Sequence, residues 1–262
     1  MSRFVDSLKL ASQGVAQPMG FGRGRTVASK PGILLVACLS QAAVSNPADL
    51  VSGADAGLIE VSGLENNSEA LRGCAEAVPD IPWGAWLKGN RWQRNRKIKN
   101  LGGDFVIFPA ASTPLGVLED TGAGKIVEVE ATLSSGILRT IDELPVDGVL
   151  LAVEYRGGAS ITWQQLMVFQ RLGSLTTKPL LVSVPAKVTA GELKLLWEAG
   201  VDGVVITVGA GQAGGLRGLR EAVSKLSFPS PRRRGRVKAQ IPQISASVDV
   251  EGEEEEELPD DL

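Results

Sequence analysis

The stretch LWEAGVDGVVITVGAGQAGG (residues 196–215) decides how this chain is read. An apolar run rich in β-branched residues is entered through Asp202 and left through a spray of glycines. Three earlier stretches share that form: GADAGLIEVSG (53–63), GGDFVIFPA (102–110) and PVDGVLLAVE (145–154). Each carries a turn residue, an aspartate and then a strand-like run. The aspartates are Asp55, Asp104, Asp147 and Asp202, spaced by 49, 43 and 55 residues. Between them lie four more apolar runs: GILLVACLS (32–40), PWGAWLKG (82–89), GKIVEVEAT (124–132) and KPLLVSVPAK (178–187).

Helical patterns separate these eight strand candidates. Leu71, Cys74, Ala75 and Val78 follow the i, i+3, i+4, i+7 spacing of one helix face. TWQQ (162–165) and TAGE (189–192) are capping boxes that start helices at Thr162 and Thr189. Pro47 and Pro114 sit where a first helical turn tolerates proline. Leu193, Leu196 and Trp197 give the seventh helix its apolar face; Leu216, Leu219, Val223 and Leu226 do so for the eighth. Eight strands alternating with eight helices over residues 31–227 predict an α/β fold, a (β/α)8 TIM barrel. The recurrent aspartate enters each even strand, on the face opposite an active-site rim, and is expected to cap the turn there.

The ends differ from the middle. Residues 1–30 form an N-terminal arm, with Phe4, Val5 and Leu8 on one face of a short helix packing on the barrel. Residues 228–262 begin FPSPRRRGRVK and end DVEGEEEEELPDDL. Such a basic-then-acidic composition predicts a disordered tail. Residues 249–262 hold nine acids and no base, so the rest of the chain is net basic although the whole carries −3. No run approaches the ~18 apolar residues of a membrane span, and the start lacks a signal-peptide core. The expectation is a cytoplasmic protein. Cys38 and Cys74 lie in apolar surroundings and read as buried free thiols. The chain has no histidine, which excludes imidazole bases, His-based triads and His-ligated metals.

Strand alternation sets the expected site. On strand five Val127 and Val129 belong to the helix-covered face, which turns Glu128 and Glu130 inward. The same parity turns Glu60 and Ser62 inward on strand two, Trp86 and Lys88 on strand three, and Glu154 on strand six. Ser183 and Lys187 follow on strand seven and Thr207 on strand eight. Buried charge is costly unless paired, so the pattern reads either as a salt-bridged interior or as a polar active site. Three chemistries are open: a Schiff-base lysine, Lys88 or Lys187; proton transfer by a glutamate; and Mg²⁺ held by Glu128, Glu130 and Glu154.

The stretch KPLLVSVPAKVTAGELKLLWEAGVDGVVITVGAGQAGG resembles the end of phosphate-binding (β/α)8 barrels. These include FMN-linked oxidoreductases, thiamin-phosphate-synthase-like proteins and the histidine- and tryptophan-biosynthetic barrels. The resemblance implies backbone N–H groups presented to a phosphate by Gly209, Gly211, Gly214 and Gly215, ahead of a helix N-terminus. It departs from the pattern after strand seven, where Pro185, Ala186 and Lys187 replace the usual glycine pair. It implies a small anionic or phosphorylated metabolite as ligand and, less directly, FMN, while Lys88 or Lys187 with Glu128, Glu130 or Glu154 favours lyase or aldolase-type chemistry. The alternative is a non-catalytic barrel serving as a scaffold through its charged segments, alone or as a homo-oligomer. GNRWQRNRKIKN (89–100) places basic residues at the same rim, but no nucleic-acid motif accompanies them.

Overall fold

The structure, a computed structural model, describes residues 2–13, 32–39, 47–61, 67–88, 103–118, 122–153, 155, 160–209 and 215–226. Helix α1 (Arg3–Gln13) comes first. The barrel then runs β1 (Leu34–Leu39), α2 (Pro47–Leu50), β2 (Ala56–Val61), α3 (Asn67–Ala77), β3 (Trp83–Leu87) and β4 (Phe105–Pro109). It continues through β5 (Gly124–Val129), α4 (Ser135–Thr140), β6 (Gly148–Leu151), α5 (Trp163–Leu175), β7 (Leu180–Val184), α6 (Ala190–Glu198), β8 (Gly203–Val208) and α7 (Gly215–Ser224). The eight strands close in sequence order, every neighbour parallel, and β8 returns to β1 from Leu34↔Gly203 to Leu39↔Val208. Followed once around, the pairings return to β1 displaced by eight residues. That is the stagger of a TIM barrel.

Both capping boxes form. Thr162 and Thr189 accept from the backbone of Gln165 and Glu192, whose side chains reach back to the cap. The uniform alternation of strand and helix holds less well in the middle of the chain. Between β4 and β5 the described residues contain one 3-10 turn, Leu115–Leu118, in place of a full helix. Pro114 opens it, and Gly122, with φ of 59°, closes the short connection. Among the described residues no helix is long and apolar enough to cross a membrane.

Alternation divides the core in two. Outward strand residues such as Leu35, Ile59, Val127, Val129 and Ile206 pack with Leu71, Phe169, Leu193, Leu196 and Trp197 of the helices. Inward residues stack in levels of four from alternate strands, as the stagger requires. Leu58, Ile107, Leu150 and Val205 make one apolar level. The level toward the strand starts holds Val36, Gly84, Ile126 and Leu181, and below it come Ala56, Phe105, Gly148 and Gly203. Those lower levels are short of side chains. Helix α1 fills them from the floor: Phe4 and Leu8 are fully buried in the interior core, with the Phe4 and Phe105 ring centroids 4.3 Å apart.

The aspartate ring lies at that floor, as expected. Asp55, Asp147 and Asp202 each accept the strand N–H of a residue on the preceding odd strand, from Leu35 at 2.7 Å, Lys125 at 3.0 Å and Leu180 at 2.8 Å. Each also returns its own N–H to that residue's carbonyl. Asp104 makes the matching backbone bond to Trp83 O, but its carboxylate turns elsewhere. It accepts from Ser2 Oγ at 2.7 Å and from the backbone N–H groups of Arg3 and Phe4 at 2.8 Å each. One member of the fourfold set thus caps the N-terminus of α1.

Candidate functional site

At the opposite end, the level above Leu58 and Leu150 turns polar: Cys38, Trp86, Glu128 and Ser183. Above it stand Glu60, which pairs in register with Trp86, and Thr207. Trp86 is locked by packing at 4% exposure and donates from Nε1 to Glu128 Oε2 at 2.6 Å. Lys88 follows the last residue of β3 and keeps the parallel ladder through its N–H to Val61 O at 2.8 Å. Its ammonium lies 3.4 Å from the centre of the Trp86 ring and 3.6 Å from Glu128 Oε1. The Lys88 side chain is 36% exposed and that of Glu128 17%. An indole face and a carboxylate together hold a cation more firmly than either alone. Both Glu128 oxygens are engaged, one by Trp86 and one by Lys88.

Cys38 is the floor of this mouth. Burial pushes its thiol far above the usual range; the charge of Glu60 pushes it the same way, and Lys88 partly offsets both. The side chain lies within electrostatic reach of Glu60 and Lys88, and its burial disfavours the thiolate that nucleophilic attack requires. Cys74, on the buried face of helix α3, is also raised by burial, and both cysteines are free. Ser183 Oγ accepts from Val153 N at 2.6 Å and donates to Val153 O at 2.9 Å, which fixes the exit of β6.

The structure brings Glu60, Lys88 and Glu128 of the expected residues to the mouth and sets two others apart. Glu130 lies beyond the end of β5, exposed, and accepts from Thr132 Oγ1 at 3.1 Å. It borders a small cleft with Leu138, Leu151, Val168 and Leu172 on the helical side. Pairing with β6 ends at Val129↔Leu151, so the inward parity that assigned Glu130 to the interior no longer applies. Lys187 is exposed in the turn after β7, which Val188 N closes onto Pro185 O at 3.1 Å. Pro185 has no N–H with which to continue the ladder, and the strand stops before Lys187 could point inward. Glu154, Gly211 and Gly214 lie outside the described residues, as do Ser62, the 89–100 basic run and the tail. Gly209 is exposed just past β8, and Gly215 is the first residue of α7. Among the described residues no group of three or more Cys, Asp or Glu side chains is placed to hold a metal ion.

A separate cleft of about 170 Å³ opens outside the barrel, between the N-terminal ends of α5 and α6. Ile161, Trp163, Leu166, Leu195 and Leu196 line it, and its one carboxylate, Glu192, already serves the Thr189 cap. It offers apolar surface rather than reactive groups.

No family model matches the chain, and no curated protein matches it in sequence. Solved structures do match in shape. A single-residue variant of the tryptophan synthase α-subunit from Pyrococcus furiosus has a TM-score of 0.55 at 14% identity, over 74% of this chain and 97% of that one. Another variant of the same subunit reaches 0.57 at 15% identity over the same shares. Thiamine phosphate pyrophosphorylase from Pyrococcus furiosus gives 0.53 at 13% identity, over 72% of this chain and 96% of that one. The fold is a TIM barrel. At such identities the likeness is one of architecture, and function rests on the site itself.

Proposed function

We propose that this TIM barrel is an enzyme acting on a small anionic or phosphorylated carbonyl compound, with lyase or aldolase-type chemistry at Lys88. The observation that carries the reading is the placement of the Lys88 ammonium at the strand C-terminal mouth, between the Trp86 face and Glu128. Active sites of this fold lie at that mouth. Glu128 takes the proton that Lys88 must lose to become a neutral amine. The amine adds to the substrate carbonyl and water leaves; the resulting iminium draws in the electron pair of the bond between the α- and β-carbons as the β-hydroxyl gives its proton to Glu60 and that fragment departs as an aldehyde, and water finally hydrolyses the remaining iminium to free Lys88. Glu60 is the second carboxylate of the mouth and returns a proton to the carbon left behind. The anionic end of the substrate is assigned to the exit of β8, at Gly209 and the start of α7 at Gly215, with Gly211 and Gly214 between them. This rests on the resemblance in sequence and on the fold shared with enzymes of phosphorylated compounds.

Borohydride reduction in the presence of small phosphorylated aldehydes and ketones tests it. A stable adduct mapped to Lys88, absent from Lys88→Arg, is the expected result. Absence of any adduct across the panel overturns the Schiff-base reading.

A second reading, an interaction protein built on the same barrel, draws on a different surface. Trp163 is 75% exposed and Leu195 42%, both lining the α5–α6 cleft, and Met167 on α5 is 68% exposed. Exposed apolar side chains gathered at one cleft are a mark of protein docking.

A further inference from the structure

The floor of the barrel is built around a helix it does not covalently need there. Gly124 and Gly148, at the starts of β5 and β6, leave the space that α1 occupies. A Cβ on Gly124 would come within 2.4 Å of Val5 Cγ2 and 2.8 Å of Ser2 Oγ. A Cβ on Gly148 would meet Leu8 Cδ2 at 3.4 Å, an ordinary contact, so a longer side chain there would reach into the place of α1. The polar contacts are equally directed. Asp104 gives up the strand-capping role of its three counterparts to take three donors from residues 2–4. Arg3 Nη2 donates to Asp80 O at 2.9 Å, and Lys9 pairs with Asp147 at 3.1 Å. Shape and charge therefore select a helix with Ser2, Phe4, Val5, Leu8 and Lys9 on one face.

We infer that the barrel floor is a helix-binding site for the segment Ser2–Gln13, able to take that segment from a second copy of this chain. Residues 14–31, four of them glycine, join α1 to the barrel. Fully extended, 18 residues span about 60 Å, so the connection does not force α1 into its own barrel. An 11-residue helix is marginal alone in water, so α1 gains its order in the socket. The tether supplies the segment at roughly millimolar effective concentration, and the intramolecular arrangement prevails. When a copy cannot use its own α1, the socket of one chain accepts the helix of another, the exchange that defines a domain swap.

The test uses two full-length variants and a labelled peptide of residues 1–13. Phe4→Ala with Leu8→Ala vacates the socket; Gly148→Leu blocks it while leaving α1 intact. The peptide is expected to bind the vacated chain by fluorescence anisotropy, and about tenfold more weakly when Asp104→Asn removes the carboxylate charge. The wild type, already filled, competes against the peptide. Mixing the two variants gives a 1:1 heterodimer in native mass spectra, which neither forms alone. If the vacated chain is unfolded, recovery of its melting transition with added peptide is the same measurement, because a ligand of the folded state shifts that equilibrium. No binding and no recovery at about 1 mM peptide, the concentration a tether supplies, overturns the proposal. Equal binding to vacated and wild-type chains also overturns it, since the peptide then sits elsewhere.

Discussion

The two ends of this barrel are made from the same strands and solve opposite problems. At the floor the lowest inward level is Ala56, Gly148 and Gly203 beside Phe105, the carboxylates of the aspartate ring accept backbone or side-chain donors, and a separate helix fills the gap. At the mouth the inward positions are large and polar, and an ammonium and two carboxylates gather over a buried thiol. The floor spends its carboxylates on backbone N–H groups, of three strands and of the start of α1, which the fold must satisfy. The mouth holds polar groups that the strands do not require. That excess marks where to look for chemistry.

The largest expected effect lies at the floor. Phe4→Ala empties space against Phe105 and Leu8 and is expected to cost about 3–5 kcal/mol, measured by urea unfolding. The Trp86–Lys88–Glu128 geometry should survive in the folded fraction, so an adduct at Lys88 still forms there. Loss of adduct in proportion to nothing but folding separates the two ends; a specific loss would couple them.

Asp202→Ala comes next. Asp202 is 1% exposed and its Oδ2 takes the Leu180 N–H at 2.8 Å. Leaving that donor unmet is expected to cost about 1–3 kcal/mol, in the same unfolding experiment. A change near zero would mean that water replaces the carboxylate.

Glu128→Gln inverts the pattern. It keeps an acceptor for Trp86 Nε1 and removes the charge beside Lys88. Stability should move by less than about 1 kcal/mol, since the pair is partly exposed. The rate of borohydride-trapped adduct formation should fall by about 100-fold or more if Glu128 takes the lysine proton. Equal rates would return Glu128 to a purely structural role.

The smallest effect is a pH dependence at Asp147. Burial alone would raise its carboxyl, but the Lys125 N–H and the Lys9 ammonium outweigh burial, and the net shift is downward. A depressed carboxyl stabilises the fold above its unfolded pKa of about 4, and that contribution is lost as pH falls through the lower folded value. Asp147→Asn should therefore flatten the acid limb of the stability curve below about pH 4 and leave the limb above pH 7 unchanged. An acid limb identical to wild type would show that the Lys125 N–H and Lys9 together do not depress this carboxyl in solution.

Much of the fold is legible in the sequence because its signals are local and repeated. Asp202 and its three counterparts mark the even strands, and the capping boxes at Thr162 and Thr189 mark two helices. Parity places Trp86 and Glu128 inward because both lie within paired strand. It fails at Glu130 and Lys187 because parity is a property of the ladder, and the ladder ends before each. The short 3-10 turn between β4 and β5 was hidden for a related reason: Pro114 is as compatible with one turn as with a full helix. The role of α1 was half visible. Phe4, Val5 and Leu8 show an apolar face, but its socket is written in Gly124 and Gly148, where the signal is the lack of a side chain. The reassignment of Asp104 has no local signature at all, since its partners lie about a hundred positions away.

Trp86 carries an optical consequence. A cation rests on its π-face and a carboxylate accepts its N–H, so its excited state feels two charges that a ligand must disturb on arrival. Trp83 and Trp197 are buried in the helical layer, away from the mouth, while Trp163 faces solvent. Emission from the Trp86 indole thus changes with the state of Lys88 while Trp83 and Trp197 hold constant, and a Trp92→Phe background removes the fifth indole of the chain from the signal. The molecule comes with an intrinsic fluorophore at the place where its chemistry is proposed to occur, and occupancy there can be followed without attaching a dye.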